Sequence, residues 1–186
     1  MKNIIMLISS ILFGVVLSFL FFIFIIFLIS RFSKKEHKKF EPRVSIVVPA
    51  YNEEQNIEDC LASIFSANYP KNKIEVLIVD DGSTDNTIKI LKKYKKVKIL
   101  RQNHLGKVEA LNFGVLNSSN DFIITLDADT TMDKNCISEL VKPFSDKKVG
   151  ATTGNNKVKN KKSILSAFQN IEYHFSNLIR NSFSTV

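Results

Sequence analysis

FIITLDADTTMD, Phe122 to Asp133, runs through a nearly apolar half and then sets down Asp127, Asp129 and Asp133. The first half reads as a buried strand, and the acids fall in the loop at its carboxyl end. The same order recurs upstream. RVSIVVP is a β-branched run stopped by Pro49, and Ile57, Leu61, Ile64 and Phe65 then return at helical spacing. IEVLIVD is a second buried strand, with Ile88, Leu91 and Tyr94 marking a short helix behind it. VKIL is a third, followed by Ala110, Leu111, Gly114 and Val115 on the inner face of a helix. After FIITLD, the fourth strand, comes an amphipathic helix through Ile137, Leu140, Val141 and Phe144, and VGATTG reads as a fifth strand. Strand and helix alternating in this way, with strands apolar throughout, predict an α/β fold: a mainly parallel sheet covered on both faces. Ligands of such sheets gather at the carboxyl ends of the strands, where every unusual polar cluster of this sequence falls.

Each cluster has a plain reading beside a functional one. In PAYNEEQN, after the first strand, Asn52 suits a helix cap, Gln55 a reach back to it, and Glu53 and Glu54 the positive helix start. On spacing alone capping is the favoured reading. In DDGSTDNT, Asp81-Gly82 fits a hairpin turn, but the helical spacing that follows disfavours a hairpin. Adjacent acids before a tight turn would instead accept hydrogen bonds from a base or ribose. RQNHLGKVEALN puts Gly106 and Lys107 at a helix start, where free backbone N–H groups and a lysine favour phosphate oxygens.

Asp127 and Asp129 stand two residues apart, so in an extended chain they point to one side and engage one hard cation, Mg2+ or Mn2+. Such a cation keeps waters and completes its shell with substrate phosphates. An EF-hand starting at Asp127 fails, because Met132 stands where glycine is needed and Ser138 where glutamate is needed. A haloacid dehalogenase-type phosphatase also begins with an apolar strand and Asp-x-Asp-x-Thr, matched by Asp127, Asp129 and Thr131. That motif normally opens its domain, whereas three βα units precede it here. Asp133 suits the cap of the next helix. No G-x-G-x-x-G follows a strand, which disfavours a dinucleotide enzyme.

The amino end is of another kind. Ile4 to Ile29 carries no charge and is long enough to cross a bilayer, which takes about 20 residues. A cleaved signal has an apolar core of only ~7–15 residues and a small-residue cleavage site. Lys2 alone is basic on the amino side, while Arg31, Lys34, Lys35, Lys38 and Lys39 follow the segment, so the positive-inside bias puts the remainder in the cytoplasm. The expected organisation is a single-pass anchor over 1–31, a basic juxtamembrane linker over 32–42 and one α/β domain over 43–186. The formal charge of +8 fits attraction to anionic membrane lipid, and no nucleic-acid motif accompanies it. Cys60 and Cys136 lie far apart without metal-like spacing and read as small core residues.

Taken in order, VSIVVPAYNEE, VLIVDDGSTD, GKVEALNFG and IITLDADT, followed by TTGNNKV and QNIEY, carry a family likeness from Arg43 to about Tyr173. The chain resembles the nucleotide-binding half of a family 2 glycosyltransferase with the Rossmann-like GT-A fold. Within that family it is close to membrane-bound synthases of poly-N-acetylglucosamine, hyaluronan and cellulose type. The resemblance implies a nucleotide-diphosphate sugar donor, UDP-linked, and a glycan or lipid-linked acceptor. It implies Tyr51 and Glu53 lining the uridine pocket, Asp80 or Asp81 bonded to the base, and Lys107 on the diphosphate. Asp127 and Asp129 become the DxD motif that holds Mg2+ or Mn2+, with Asp129 the direct ligand, and Thr153, Gly154 and Asn155 border the donor sugar.

The resemblance also implies inverting transfer, for which an acceptor hydroxyl needs a carboxylate base. Full-length members carry a Thr-Glu-Asp-type motif and then Gln-x-x-Arg-Trp. After Asp133 this sequence offers only Glu139, Asp146 and Glu172, and none matches, so no catalytic base is assigned. The expectation is an incomplete synthase, either a fragment or one part of a split enzyme that transfers sugar only with a complementing polypeptide. Ile164, Phe168, Ile171, Phe175 and Leu178 form an apolar stripe that would lie on the membrane or another chain. The alternatives are a non-catalytic nucleotide-sugar-binding or assembly protein and, more distantly, the phosphatase.

Overall fold

The computed structural model describes residues 2–32, 40–155, 157, 166–169, 171–173 and 175–176. The chain divides into two units, one of residues 37–153 and one formed by residues 1–36 with 154–186. In the latter, helix α1 spans Lys2–Phe32. Within it Met6–Ile29, of mean hydropathy 3.2, is long and apolar enough to cross a membrane. Its few polar side chains satisfy themselves: the hydroxyls of Ser9 and Ser10 donate to the Met6 carbonyl, and that of Ser18 to Val15, each at 2.9 Å. Such internal bonding is what a lipid-exposed helix requires. This one N-terminal apolar helix fits membrane anchoring. The described residues between 166 and 176 are also helical, and Phe168, Ile171 and Phe175 of the expected stripe are exposed. Ile164 and Leu178, like most of the basic linker, lie outside the described residues.

In the other unit the elements run β1 (Val44–Ala50), α2 (Ile57–Phe65), β2 (Ile74–Asp80), α3 (Thr87–Leu91), β3 (Val97–Arg101), α4 (Lys107–Leu116), β4 (Phe122–Thr125) and α5 (Cys136–Val141). The four strands make one parallel sheet in the order β3-β2-β1-β4. The order reverses direction at β1: the chain steps outward to β2 and β3, then crosses to β4 on the other side. A crevice opens at such a switch point, beside the carboxyl end of β1.

Period-two alternation sorts the strand side chains. Val44, Ile46 and Val48 of β1, with Val76 and Ile78 of β2, join Ile57, Leu61 and Ile64 of α2 and Ile137 of α5 in the larger core. Val47, Leu77 and Val79 point the other way, against Ala110 of α4. Both faces are covered, so the central strands are apolar on both faces apart from Ser45, Glu75 and Asp80. Each fully buried Ile or Leu contributes about 1.5–3 kcal/mol. Gly114 lets α4 lie close on the sheet, since a Cβ there would come within 2.3 Å of Val47 Cγ1 and 2.9 Å of Val79 Cγ2.

Three expectations are corrected. VGATTG forms no strand: residues 149–155 lie outside the sheet. The Asp146 N–H donates to Pro143 and the Val149 N–H to Asp146, and the Thr152 hydroxyl then binds the Leu140 carbonyl, so successive turns hold the chain against α5. Asn52 does not cap α2, which starts at Ile57 behind Asn56. Asn52 instead takes a left-handed φ of 55° and accepts the Thr84 N–H at 2.8 Å. Asp127 and Asp129 are not in extended chain. After Leu126 N–H donates to Val47, a turn closes from Thr130 N–H to the Asp127 carbonyl at 3.0 Å.

Candidate active site

The loops after β1, β2 and β4 and the start of α4 enclose a cleft of about 310 Å³ at the carboxyl edge of the sheet. Pro49, Ala50, Ala110 and Ala128 give it a small-residue floor. In its lining Tyr51 and His104 stack on one another with Asp81 against His104, Lys107 pairs with Asp127 near Asp129, and Glu53 completes the set. A pair of rings and a lysine with carboxylates thus line one cleft.

The loops after β1 and β2 are cross-linked. The Asn52 N–H donates to the Ser83 hydroxyl at 3.0 Å, that of Glu53 to Thr87 Oγ1 at 2.8 Å, and that of Glu54 to Asp85 at 3.0 Å. The Glu54 carboxylate returns two bonds from Asn86. Burial alone would raise the Asp85 carboxyl, but the hydroxyl and N–H of Thr87 and the Glu54 N–H hold it below the usual range.

Asp81 ties down the β3–α4 loop. Its Oδ1 accepts from Gln102 Nε2 at 2.7 Å and Leu105 N–H at 2.9 Å, and its Oδ2 from Gly106 N–H at 2.9 Å. His104 Nδ1 lies 2.8 Å from the same Oδ2. Burial pushes this carboxyl up, and the Leu105, Gln102, Gly106 and His104 groups together hold it below the ordinary value. Gly82 (φ 81°) and Gly106 (φ 96°) are required by this arrangement. A Cβ on Gly82 would stand 3.0 Å from the His104 nitrogen. The His104 ring in turn stacks on Tyr51, centroids 4.1 Å apart at 25°. Asp80 is wholly buried outside the cleft lining: its Oδ1 accepts the Ser83 N–H, and its Oδ2 lies 3.1 Å from Arg101 Nε, without hydrogen-bond alignment.

Lys107 Nζ pairs with Asp127 Oδ1 at 2.6 Å, both side chains more than half exposed. The Asp129 carboxylate is exposed and takes a hydroxyl bond from Thr130 at 3.2 Å. Beneath them the buried Cys60 thiol lies 3.8 Å from the Asp127 carbonyl. Burial, with Asp129, Glu53 and Asp127 nearby, pushes that thiol up to about 12, so it stays protonated and structural. Two carboxylates on one exposed turn are a hard-oxygen donor pair suited to Mg2+ or Mn2+. Among the described residues no set of three His, Cys, Asp or Glu makes a closed cation cage, so water and substrate oxygens would fill the remaining positions.

Of the predicted residues, the cleft gathers Tyr51, Glu53, Asp81, Lys107, Asp127 and Asp129. Asp80 lies beneath it. Thr153 ends this unit, and Gly154 and Asn155 belong to the unit that carries α1. Sequence reasoning passed over His104, three residues before Lys107, whose signal was an aromatic side chain in a loop of polar and glycine residues.

The family model for glycosyl transferase family 2 matches residues 45–183, which include every loop of this cleft. The chain belongs to that family. It is 37% identical over 145 residues to a poly-beta-1,6-N-acetyl-D-glucosamine synthase of Staphylococcus epidermidis, covering 75% of this chain and 34% of that one. The enzyme of the same name from Staphylococcus aureus strain COL is 38% identical over 135 residues, 70% of this chain and 32% of that one. The chain thus spans about a third of the length of the curated relatives it matches. A mannosyltransferase from Pyrobaculum calidifontis, solved with GDP-Man and Mn2+, superposes with a TM-score of 0.65 at 26% identity, covering 85% of this chain and 46% of that one. Staphylococcus aureus TarS 1-349 with UDP-GlcNAc gives a TM-score of 0.50 at 30% identity over 52% of this chain and 29% of that one. The glycosyltransferase assignment and the GT-A-like fold follow, and the phosphatase reading falls. Enzymes of this family typically use a divalent metal.

Proposed function

We propose that the cleft is the donor site of a membrane-anchored, inverting glycosyltransferase that takes a UDP-sugar, on its cytoplasmic side, to a growing glycan or lipid-linked acceptor. The observation that carries this reading is the joining in one cleft of a stacked ring pair and a lysine with carboxylates, the two chemistries of a nucleoside diphosphate. The similarity to poly-N-acetylglucosamine synthases favours N-acetylglucosamine as the sugar.

Tyr51 offers a stacking face to the base, Glu53 a carboxylate near the ribose, and Lys107 a cation for the diphosphate. Asp81 acts by holding the 102–106 loop in place. Asp127 and Asp129 would hold the Mg2+ or Mn2+, which when bound supplies charge stabilisation to the departing diphosphate. Lys107 adds to that stabilisation as the sugar-phosphate bond breaks and negative charge grows on the leaving oxygens. In this reading Asn155, with Thr153 and Gly154, borders the donor sugar.

The acceptor base is sought outside these residues. Glu139 is paired with Lys142 at 2.9 Å, and the Asp146 carboxylate takes the Lys148 N–H at 3.0 Å. We place the base outside the residues gathered in this cleft. The test is donor binding by calorimetry on the full chain in detergent, with UDP-N-acetylglucosamine and Mn2+, beside a transfer assay. Metal-dependent binding without transfer is the expected result. No binding with or without Mn2+ contradicts the donor site, and sustained transfer by this chain contradicts a base outside these residues.

A further inference from the structure

The turn that carries Asp127 and Asp129 rests on α2. The Asp127 carbonyl, with two lone pairs, accepts the Thr130 N–H within the turn at 3.0 Å and the Cys60 thiol of α2 at 3.8 Å. Three residues further along the helix, the Ser63 hydroxyl donates to the Cys60 carbonyl at 2.7 Å. Its free lone pair accepts the Met132 N–H at 3.1 Å. Residues three apart on a helix share a face, so one side of α2 holds the turn at both ends. Just beyond it, the Asn68 N–H donates to the Lys134 carbonyl at 2.7 Å, which fixes where the loop runs on toward α5.

What these bonds hold is backbone, and the backbone sets the two acids. Asp129 is exposed and bonds its neighbour Thr130, and Asp127 meets the exposed Lys107. Neither partner is rigid, so the spacing of the carboxylates depends on the shape of the chain between Asp127 and Met132. A small hard cation demands near-octahedral oxygens at ~2.0–2.1 Å, and a ligand pair left loose by its support binds it poorly. Of the two α2 groups Ser63 is the one that can be tested cleanly. Cys60 is buried in the core, and shortening it would also open a cavity.

We propose that Ser63 is a positioning residue of the cation site: through its hydroxyl, α2 fixes the turn that carries Asp127 and Asp129. The proposal rests on the reading of those two acids as the cation's ligands. It is tested by calorimetry on the full chain in detergent, with UDP titrated in EDTA and in Mn2+.

Mn2+ is expected to strengthen UDP binding to the wild type about a hundredfold. In Ser63→Ala the strengthening is expected to fall to about tenfold, with UDP affinity in EDTA unchanged. Ser63→Thr keeps the hydroxyl and its bond to the carbonyl three residues back, and is expected to restore the Mn2+ effect. Ser45→Ala removes a buried hydroxyl bonded to Glu75 and Asn120 at the amino end of β1, and is expected to leave the Mn2+ effect as it is. A full Mn2+ effect in Ser63→Ala overturns the proposal, as does a Ser63→Thr that stays at the alanine level. Equal weakening of UDP in EDTA and in Mn2+ also overturns it, because Ser63 then supports the whole cleft. The same reduced Mn2+ effect in Ser45→Ala overturns it too, because any loss of stability then suffices. A wild type that binds UDP alike in EDTA and in Mn2+ strikes the cation reading itself, and the proposal with it.

Discussion

The loops after β2 and β4 are both acidic and flank the same central strand, yet their carboxylates are used in opposite ways. After β2, Asp81 and Asp85 are supplied with backbone and side-chain donors from neighbouring loops, and Asp80 is buried against Arg101. After β4, Asp127 and Asp129 stand on an exposed turn with an exposed lysine and one hydroxyl as partners. An acid whose lone pairs are filled by the fold organises the fold. One whose lone pairs are open is available to a ligand. The difference lies in hydrogen-bond capacity left over, not in charge count.

The contrast is sharpest in stability. Asp81→Asn turns an amide N–H2 toward donors that now meet a carboxylate, and should cost about 2–3 kcal/mol in chemical denaturation. Asp129→Asn should stay within about 0.5 kcal/mol of wild type. Equal losses would break the comparison. Gly114→Ala probes the scaffold the two loops share, because its Cβ meets Val47 and Val79, and should cost about 1–3 kcal/mol in the same assay. Lys107→Met frees Asp127 of an exposed pair worth about 0–1 kcal/mol, so Mn2+ without nucleotide should bind a few-fold more tightly by calorimetry.

The pH dependence follows the same division. The Asp81 carboxyl is depressed, so its contribution is complete above the unfolded value of 3.8 and lost as pH falls through the lower folded value. Asp81→Asn should therefore flatten the acid limb of the stability curve.

Much of this was legible because period and composition carry it. Apolar strands and 3.6-spaced helices identified the parallel sheet, and four loop motifs in order identified the family and the cleft. What escaped depends on contacts between residues far apart in sequence. Asn52 looked like a cap because its partner, Thr84, is 32 residues away. For Asp81, which lines the cleft, nothing local reveals that Gln102, Leu105 and Gly106 bind its carboxylate. VGATTG is β-like in composition, but the turn bonds from Pro143 to Val149 and the Thr152–Leu140 bond direct it away from the sheet. His104 gains meaning only once Tyr51 is seen beneath its ring.

The central claim is that the open carboxylates after β4 bind the cation through which the donor diphosphate is held. The direct test is UDP-N-acetylglucosamine affinity with and without Mn2+ for the wild type and for Asp127→Ala with Asp129→Ala. The account predicts that Mn2+ strengthens binding to the wild type about a hundredfold and has no effect on the double variant. Equal strengthening by Mn2+ in both proteins would contradict it.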